Sequence, residues 1–309
     1  MSAKPEVYME IQKVVIPVAG SGTRLLPATK SQPKEMLPVG RKPVVQYVVE
    51  EMVDQGMSKI MFVTGRNKRT IEDHFDRDPE LISHLSQIGE EGLLEETDYE
   101  KEDARFFYAR QMVPKGYHTP AGSGNAVLTA KDFVSSTSFV VALGNTIIRS
   151  GNHAGLIRRM VKSHIQNESA CTIAVTTVEP DEVSHYGIVS PVGRGRKNFE
   201  IDDIVEKPAA DEAPSRLAVA SRYVFTPEIF DAIERTAPGY RGEVELTDAI
   251  RNLIKMGRNV RCVHLTKEEH QYNIGNPESY YRAFIDFALS DQQYGYRIRQ
   301  HFQQRLRDF

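Results

Sequence analysis

Short β-branched runs alternate with segments of helical spacing along the chain, and this alternation constrains the fold more than any other feature. Lys13–Ala19, Lys59–Thr64, Arg105–Gln111, Phe139–Leu143, Cys171–Val178, Val219–Phe225 and Val260–Leu265 read as strands. After Pro43 the positions Val44, Tyr47, Val48, Met52 and Met57 keep a helical rhythm, and Gly56 is a stop signal. Repeated strand and helix order predicts an α/β chain with a mostly parallel central sheet covered by helices on both faces, a three-layer arrangement. Ligands of such sheets sit beyond the carboxyl ends of the strands, so the loops after these runs are the first candidates for a site.

Two regions break the alternation. Tyr186–Pro208 holds the short apolar runs Ile188–Val192 and Ile201–Val205 around Gly193 and Gly195, which predicts a small β-hairpin inserted in the sheet. Gly89–Asp103 carries eight acids against Lys101 and reads as a solvated helical excursion.

Charge and cysteine usage exclude several classes of protein. With 39 Lys+Arg against 42 Asp+Glu the formal net charge is −3, so no bulk basic field exists to hold a nucleic acid, and anions must be gripped at a focused site. No stretch approaches the roughly 18–20 unbroken apolar residues of a membrane span, and the N-terminus lacks an apolar signal core. The two cysteines, Cys171 and Cys262, cannot build a disulfide framework and read as buried strand residues. These features predict a cytoplasmic protein.

The apolar run Val14–Val18 leads straight into Ala19-Gly20-Ser21-Gly22-Thr23-Arg24. Glycines there let backbone N–H groups approach a phosphate, Thr23 adds a hydroxyl and Arg24 adds a fork of donors. The segment is not a Walker loop, because no Gly-Lys-Ser/Thr follows. It is not a dinucleotide fingerprint either, because Leu25 stands at the third glycine position and Glu50 and Glu51 fall inside a predicted helix. Downstream, Pro27, Pro33 and Pro38 stiffen a loop that carries Lys30 and Lys34, which lowers the entropy lost when Lys34 is fixed on a ligand.

The run PVAGSGTRLLPATKSQPKEMLPVGRKPVVQYVVEE resembles the bacterial UTP–glucose-1-phosphate uridylyltransferases (UDP-glucose pyrophosphorylases) of the sugar-nucleotidyltransferase family. SHYGIVSP at Ser184–Pro191, IVEKP at Ile204–Pro208, Arg222–Ile250 and Tyr272–Leu289 extend the resemblance through most of the chain. It implies a Rossmann-like nucleotidyltransferase fold, a single domain over 1–309 with a C-terminal helical segment from about 277, and Mg²⁺-assisted joining of UTP and glucose 1-phosphate into UDP-glucose and pyrophosphate.

By the same resemblance Ala19, Gly20, Gly22 and Thr23 line the nucleotide, Arg24 stabilises the departing pyrophosphate and Lys34 bridges the reacting phosphates. Glu35 accepts from the uracil N3–H, and Thr119 and Gly124 lie in a further base-contacting loop. Tyr186, Gly187, Glu206 and Glu243 surround the sugar, and Lys207 holds its phosphate.

The chain departs from the family at telling positions. Asn145 and Asn273 stand where the family carries aspartates that bind Mg²⁺, and two neutral amide oxygens bring no charge against a hard dication, so metal binding is expected to weaken. Thr119 stands where the family has a glutamine, and Ser221 replaces the glycine before Arg222-Tyr223. Three readings of the amide pair stay open: a working pyrophosphorylase with an altered metal site, a catalytically impaired paralogue serving as a ligand-binding or regulatory subunit, or a substrate-trapping variant. The nine histidines show no metal spacing, and only His118 and His185 lie near motif loops. Near the C-terminus Tyr294, Ile298 and Phe302 recur every fourth residue, an amphipathic helix that docks on its own domain or forms a homo-oligomer contact.

Overall fold

The computed structural model describes residues 11–94, 104–113, 121–150, 155–239 and 242–307. In chain order the first strands are β1 (Lys13–Pro17), β2 (Pro38–Val39), β3 (Lys42–Pro43), β4 (Lys59–Thr64), β5 (Arg105–Arg110), β6 (Phe139–Ala142) and β7 (Thr146–Arg149). They are followed by β8 (Cys171–Thr177), β9 (Gly187–Pro191), β10 (Asn198–Glu206), β11 (Leu217–Phe225), β12 (Val260–His264) and β13 (His270–Asn273). The helices are α1 (Val44–Asp54), α2 (Arg69–Phe75), α3 (Pro79–Ile88), α4 (Gly122–Leu128), α5 (Lys131–Val134), α6 (Leu156–Gln166), α7 (Glu228–Glu234), α8 (Leu246–Lys255), α9 (Pro277–Leu289) and α10 (Gly295–Arg305).

Nine strands form one sheet in the order β5-β4-β1-β6-β11-β8-β12-β10-β9. The expectation of a mostly parallel sheet is corrected here, because the sheet is mixed. β5, β4, β1 and β6 run parallel, as do β8 and β12, whereas β11 is antiparallel to both β6 and β8. β10 is antiparallel to β12 and to β9 at the far edge. The pattern misleads for a physical reason: β11 is buried on both faces along almost its whole length, and such an apolar run looks the same in either direction.

Successive residues of the central strands feed opposite cores, as the period of a strand requires. Val15, Val141, Ile173 and Tyr223 pack with α4, α7 and α8, while Val14, Ile16, Val140, Ala174 and Val224 pack with α1, α2 and α6. Cys171 and Cys262 are buried free thiols on neighbouring strands. A third cluster joins Leu25, Leu37, Val39, Ile147 and Ile274 to Ala283 and Phe287 of α9, so α9 pins the loop after β1 against the small antiparallel ribbon of β7 and β13. α9 starts at a capped turn: Asn276 accepts from the Ser279 N–H at 2.9 Å, and Pro277 occupies the first turn. α10 packs on α9, yet Tyr294 and Phe302 remain exposed. Most of the acidic segment, 95–103, lies outside the described residues. No helix among the described residues is long and apolar enough to cross a membrane.

Candidate active site

β1 delivers the glycine turn to the carboxyl edge of the sheet. Val18 N–H still bonds Val63 C=O at 2.9 Å, and Ala19 is buried against Gly65. Gly22 then takes the left-handed conformation, with φ of 69°, which glycine adopts without a Cβ penalty. The Thr29 hydroxyl donates to Gly22 C=O at 2.8 Å and closes the loop from behind, leaving Thr23 and Arg24 exposed on a single 3₁₀ turn.

The proline-stiffened loop brings Lys34 back over this turn. A β-carbon on Gly20 would lie 3.7 Å from Lys34 Nζ, which places the ammonium in van der Waals reach of the turn. Glu35 is buried beneath it, with Oε2 2.9 Å from Lys68 Nζ and Oε1 3.9 Å from Lys34 Nζ. Burial pushes the Lys34 pKa down, Glu35 opposes this, and the neighbouring charges of Lys68 and Arg24 lower it further. Glu35 therefore serves as counter-ion to two lysines. Lys68 was not found from sequence, because it lies 33 residues from Glu35 and sits just before α2, where a lysine reads as a solvated surface charge.

Asn145 and Asn273 meet because β7 and β13 pair, with Asn273 opposite Thr146 and the Ile274 N–H bonding Asn145 C=O at 2.9 Å. Their side chains bond directly, Asn145 Nδ2 donating to Asn273 Oδ1 at 2.9 Å. Arg24 stands beside them: a β-carbon on Gly275 would be 3.3 Å from Asn273 Oδ1 and 3.7 Å from Arg24 Nη2. The donor set does not fit Mg²⁺. A hard dication wants anionic oxygens, whereas one amide oxygen here is taken by its partner's N–H, and among the described residues no group of three or more His, Cys, Asp or Glu could hold a metal.

A second cluster lies further along β11, whose Ser221 touches Thr146 (hydroxyl to hydroxyl, 3.2 Å) and whose Ala218 pairs with Ile188. Glu206 Oε2 accepts from the Thr247 hydroxyl at 2.8 Å, and its Oε1 is bound by Lys207 Nζ. Gly187 fits closely here, since a β-carbon on it would lie 3.2 Å from Thr247 Oγ1 and 3.4 Å from Glu206 Oε2. Tyr186 precedes it and accepts the Lys207 N–H at 3.0 Å through its carbonyl.

Gly124 packs directly on the Val244 backbone, and its N–H bonds Val244 C=O at 2.8 Å. This brings α4 against the segment Gly242–Glu245. Burial raises the Glu245 carboxyl above the usual range, opposed by a hydrogen bond from Ser123 at 2.7 Å, while half-buried Glu243 and Glu206 add negative charge nearby. Thr247, Ser123 and Glu245 were not singled out from sequence, because the contacts that join them to this cluster span 41 to 122 residues. Gln111, buried at the end of β5, donates to Gly122 C=O and to Asn125 Oδ1, each at 3.0 Å. Thr119 and His118 lie outside the described residues.

The model of the nucleotidyl transferase family matches residues 13–289. The chain belongs to this family. Among its relatives in the nucleotidyl transferase family, a UTP–glucose-1-phosphate uridylyltransferase of Streptococcus pneumoniae serotype 4 is 41% identical over 286 residues, covering 92% of each chain. A UTP-bound UDP-glucose pyrophosphorylase of Acinetobacter baumannii superposes with a TM-score of 0.83 at 33% identity, over 95% of this chain and 99% of the other. A UDP-glucose pyrophosphorylase complexed with UDP-glucose matches with a TM-score of 0.78 at 34% identity, over 90% of this chain and 98% of the other. These nucleotidyl transferases are named as enzymes, so the regulatory-subunit reading gains nothing from them.

Proposed function

We propose that the chain is a UTP–glucose-1-phosphate uridylyltransferase, forming UDP-glucose and pyrophosphate. The observation that carries this reading is the ammonium of Lys34 above the Gly20 turn at the end of β1, where a phosphate meets backbone donors and a fixed cation together. In this reading a phosphate oxygen of glucose 1-phosphate attacks the α-phosphorus of UTP in line. The bond from that phosphorus to the bridging oxygen breaks, and pyrophosphate leaves with the electron pair. The protein's task is to align two anions and neutralise charge as it develops.

Lys34 spans the reacting phosphates, Arg24 follows the charge that grows on pyrophosphate, and Lys207 holds the sugar phosphate. Ala19, Gly20, Gly22 and Thr23 cradle the nucleotide, with Thr119 and Gly124 on its base side. Glu35 reaches a uracil N3–H only by sharing its carboxylate with Lys68. Tyr186, Gly187, Glu206 and Glu243 enclose the sugar. The protein's own affinity for Mg²⁺ is weakened by the amides at 145 and 273, and the chemistry above uses no protein-bound metal. A single domain over 1–309 with a helical segment from about 277, a cytoplasmic location and a homo-oligomer complete the reading.

The test is pyrophosphate release from UTP with glucose 1-phosphate, compared with galactose 1-phosphate, N-acetylglucosamine 1-phosphate and dTTP. Formation of UDP-glucose in preference to the other products, lost in Lys34→Ala, supports the reading. Release that is indifferent to Lys34, or faster with another sugar or base, overturns it.

A further inference from the structure

We infer that this site holds the diphosphate of UDP-glucose directly on protein donors, with no divalent cation between them. The inference rests on the reading of the site given above and deepens it. Two aspartates with one Mg²⁺ sum to zero charge, and two asparagines alone also sum to zero. A phosphate arriving at Asn145 and Asn273 therefore meets the same net charge that the metal-loaded carboxylate pair offers. What changes is the kind of contact.

The geometry suits a direct contact. One N–H of Asn145 is spent on Asn273 Oδ1, which fixes the orientation of both amides. Among the described residues Asn273 Nδ2 has no hydrogen-bond partner, so with the second N–H of Asn145 three N–H donors stand where a metal would need acceptors. Arg24 Nη2 converges on the same spot beside Gly275. Behind them, among the described residues, Lys34 and Lys68 face a single carboxylate, Glu35, so Arg24, Lys34 and Lys68 less Glu35 leave an excess of two positive charges. Direct binding by amide N–H and guanidinium is charge-assisted and matches phosphate oxygens.

The experiment is a calorimetric titration of UDP-glucose into the full chain, once in EDTA after desalting and once in saturating Mg²⁺. It is repeated with Asn145→Asp/Asn273→Asp and with each single variant, after circular dichroism has checked folding. Affinity in the native chain is expected to agree within about twofold between the two buffers. In the double variant, affinity in EDTA should fall at least about tenfold and recover with Mg²⁺, because two carboxylates without a metal repel the diphosphate.

A native chain that loses tenfold or more in EDTA overturns the inference while leaving the nucleotide-sugar reading intact. A double variant that binds equally well in EDTA also overturns it, because the two positions would then not face the diphosphate. Absence of binding in both buffers sinks the nucleotide-sugar reading, and the inference with it. The native chain's two titrations decide the matter even if the double variant does not fold.

Discussion

Lys68 Nζ lies 2.9 Å from Glu35 Oε2 with both side chains almost completely buried, and Glu35 Oε1 lies 3.9 Å from the half-buried Lys34 ammonium. A buried pair like this is intolerant of losing one member, because the survivor is left charged in a low-dielectric surrounding. Lys68→Met removes the stronger partner of Glu35 and, among the described residues, leaves Lys34 as its remaining close cation, drawing that ammonium down from the Gly20 turn. UTP affinity should fall about tenfold, and stability by about 3–5 kcal/mol. Lys68→Arg should recover most of the affinity. Titration calorimetry and thermal melting read both quantities. A Lys68→Met chain that folds and binds UTP as the native chain does would mean that Lys68 has no part in placing Lys34.

Lys34 itself gives the site a pH signature. Burial first, then the charges of Lys68 and Arg24, push its pKa below the ordinary 10.5, with Glu35 pulling the other way. The ammonium form grips phosphate and the amine does not, so UTP affinity should decline on the alkaline side earlier than it would for an exposed lysine. Lys34→Arg keeps its charge across that range, and its affinity should be flat there even if lower at neutral pH. Binding measured from pH 7 to about 10 in both proteins tests this, and parallel profiles would show that another group titrates.

Local patterns revealed some of this architecture and not the rest. The glycine turn after β1 is a short-range signal that survives folding unchanged, as are the apolar runs that become β1, β4 and β6. The direction of β11 is not a local property. Neither is the β7–β13 ribbon, whose four-residue strands have too little alternation to read as a pair, and whose partners are separated by more than a hundred residues. Family resemblance named Asn145 and Asn273 as one site, but their 2.9 Å bond to each other depends on that ribbon. Long-range charge pairs are equally invisible from sequence: Arg222 is fully buried against Glu51, 171 residues away, and donates to it at 2.6 Å.

Ser221 occupies an irregularity in β11, where the register against β8 shifts between Val219 and Tyr223, and its φ is 59°. A residue with a Cβ pays about 1–2 kcal/mol for this conformation. Its hydroxyl meets that of Thr146 at 3.2 Å in a buried setting, a contact that contributes about 1 kcal/mol in return. Ser221→Ala keeps the strain and loses the contact, so it should destabilise by about 1–2 kcal/mol. Ser221→Gly loses the contact and the strain together and should be more stable than the alanine variant by about 1 kcal/mol or more. Equal melting temperatures for the two variants would refute the assignment of strain.

His164 on α6 supplies a test far from the site. Its ring is buried, Nδ1 lies 3.3 Å from the Thr172 hydroxyl, and Nε2 has no partner among the described residues. Burial lowers its pKa from 6.5 to about 4. The folded chain therefore keeps the ring neutral where the unfolded chain has already protonated it. Between these two values the unfolded state binds more protons, so falling pH favours unfolding, and the loss levels off below about 4. The shift corresponds to at most about 3 kcal/mol. His164→Leu removes the titrating group, so its stability should decline less than that of the native chain between pH 7 and 4, while ordinary carboxylates act equally on both. Urea denaturation at several pH values reads the difference directly. Curves that stay parallel throughout would mean that His164 protonates without cost, and the buried ring would then have to be reached by solvent.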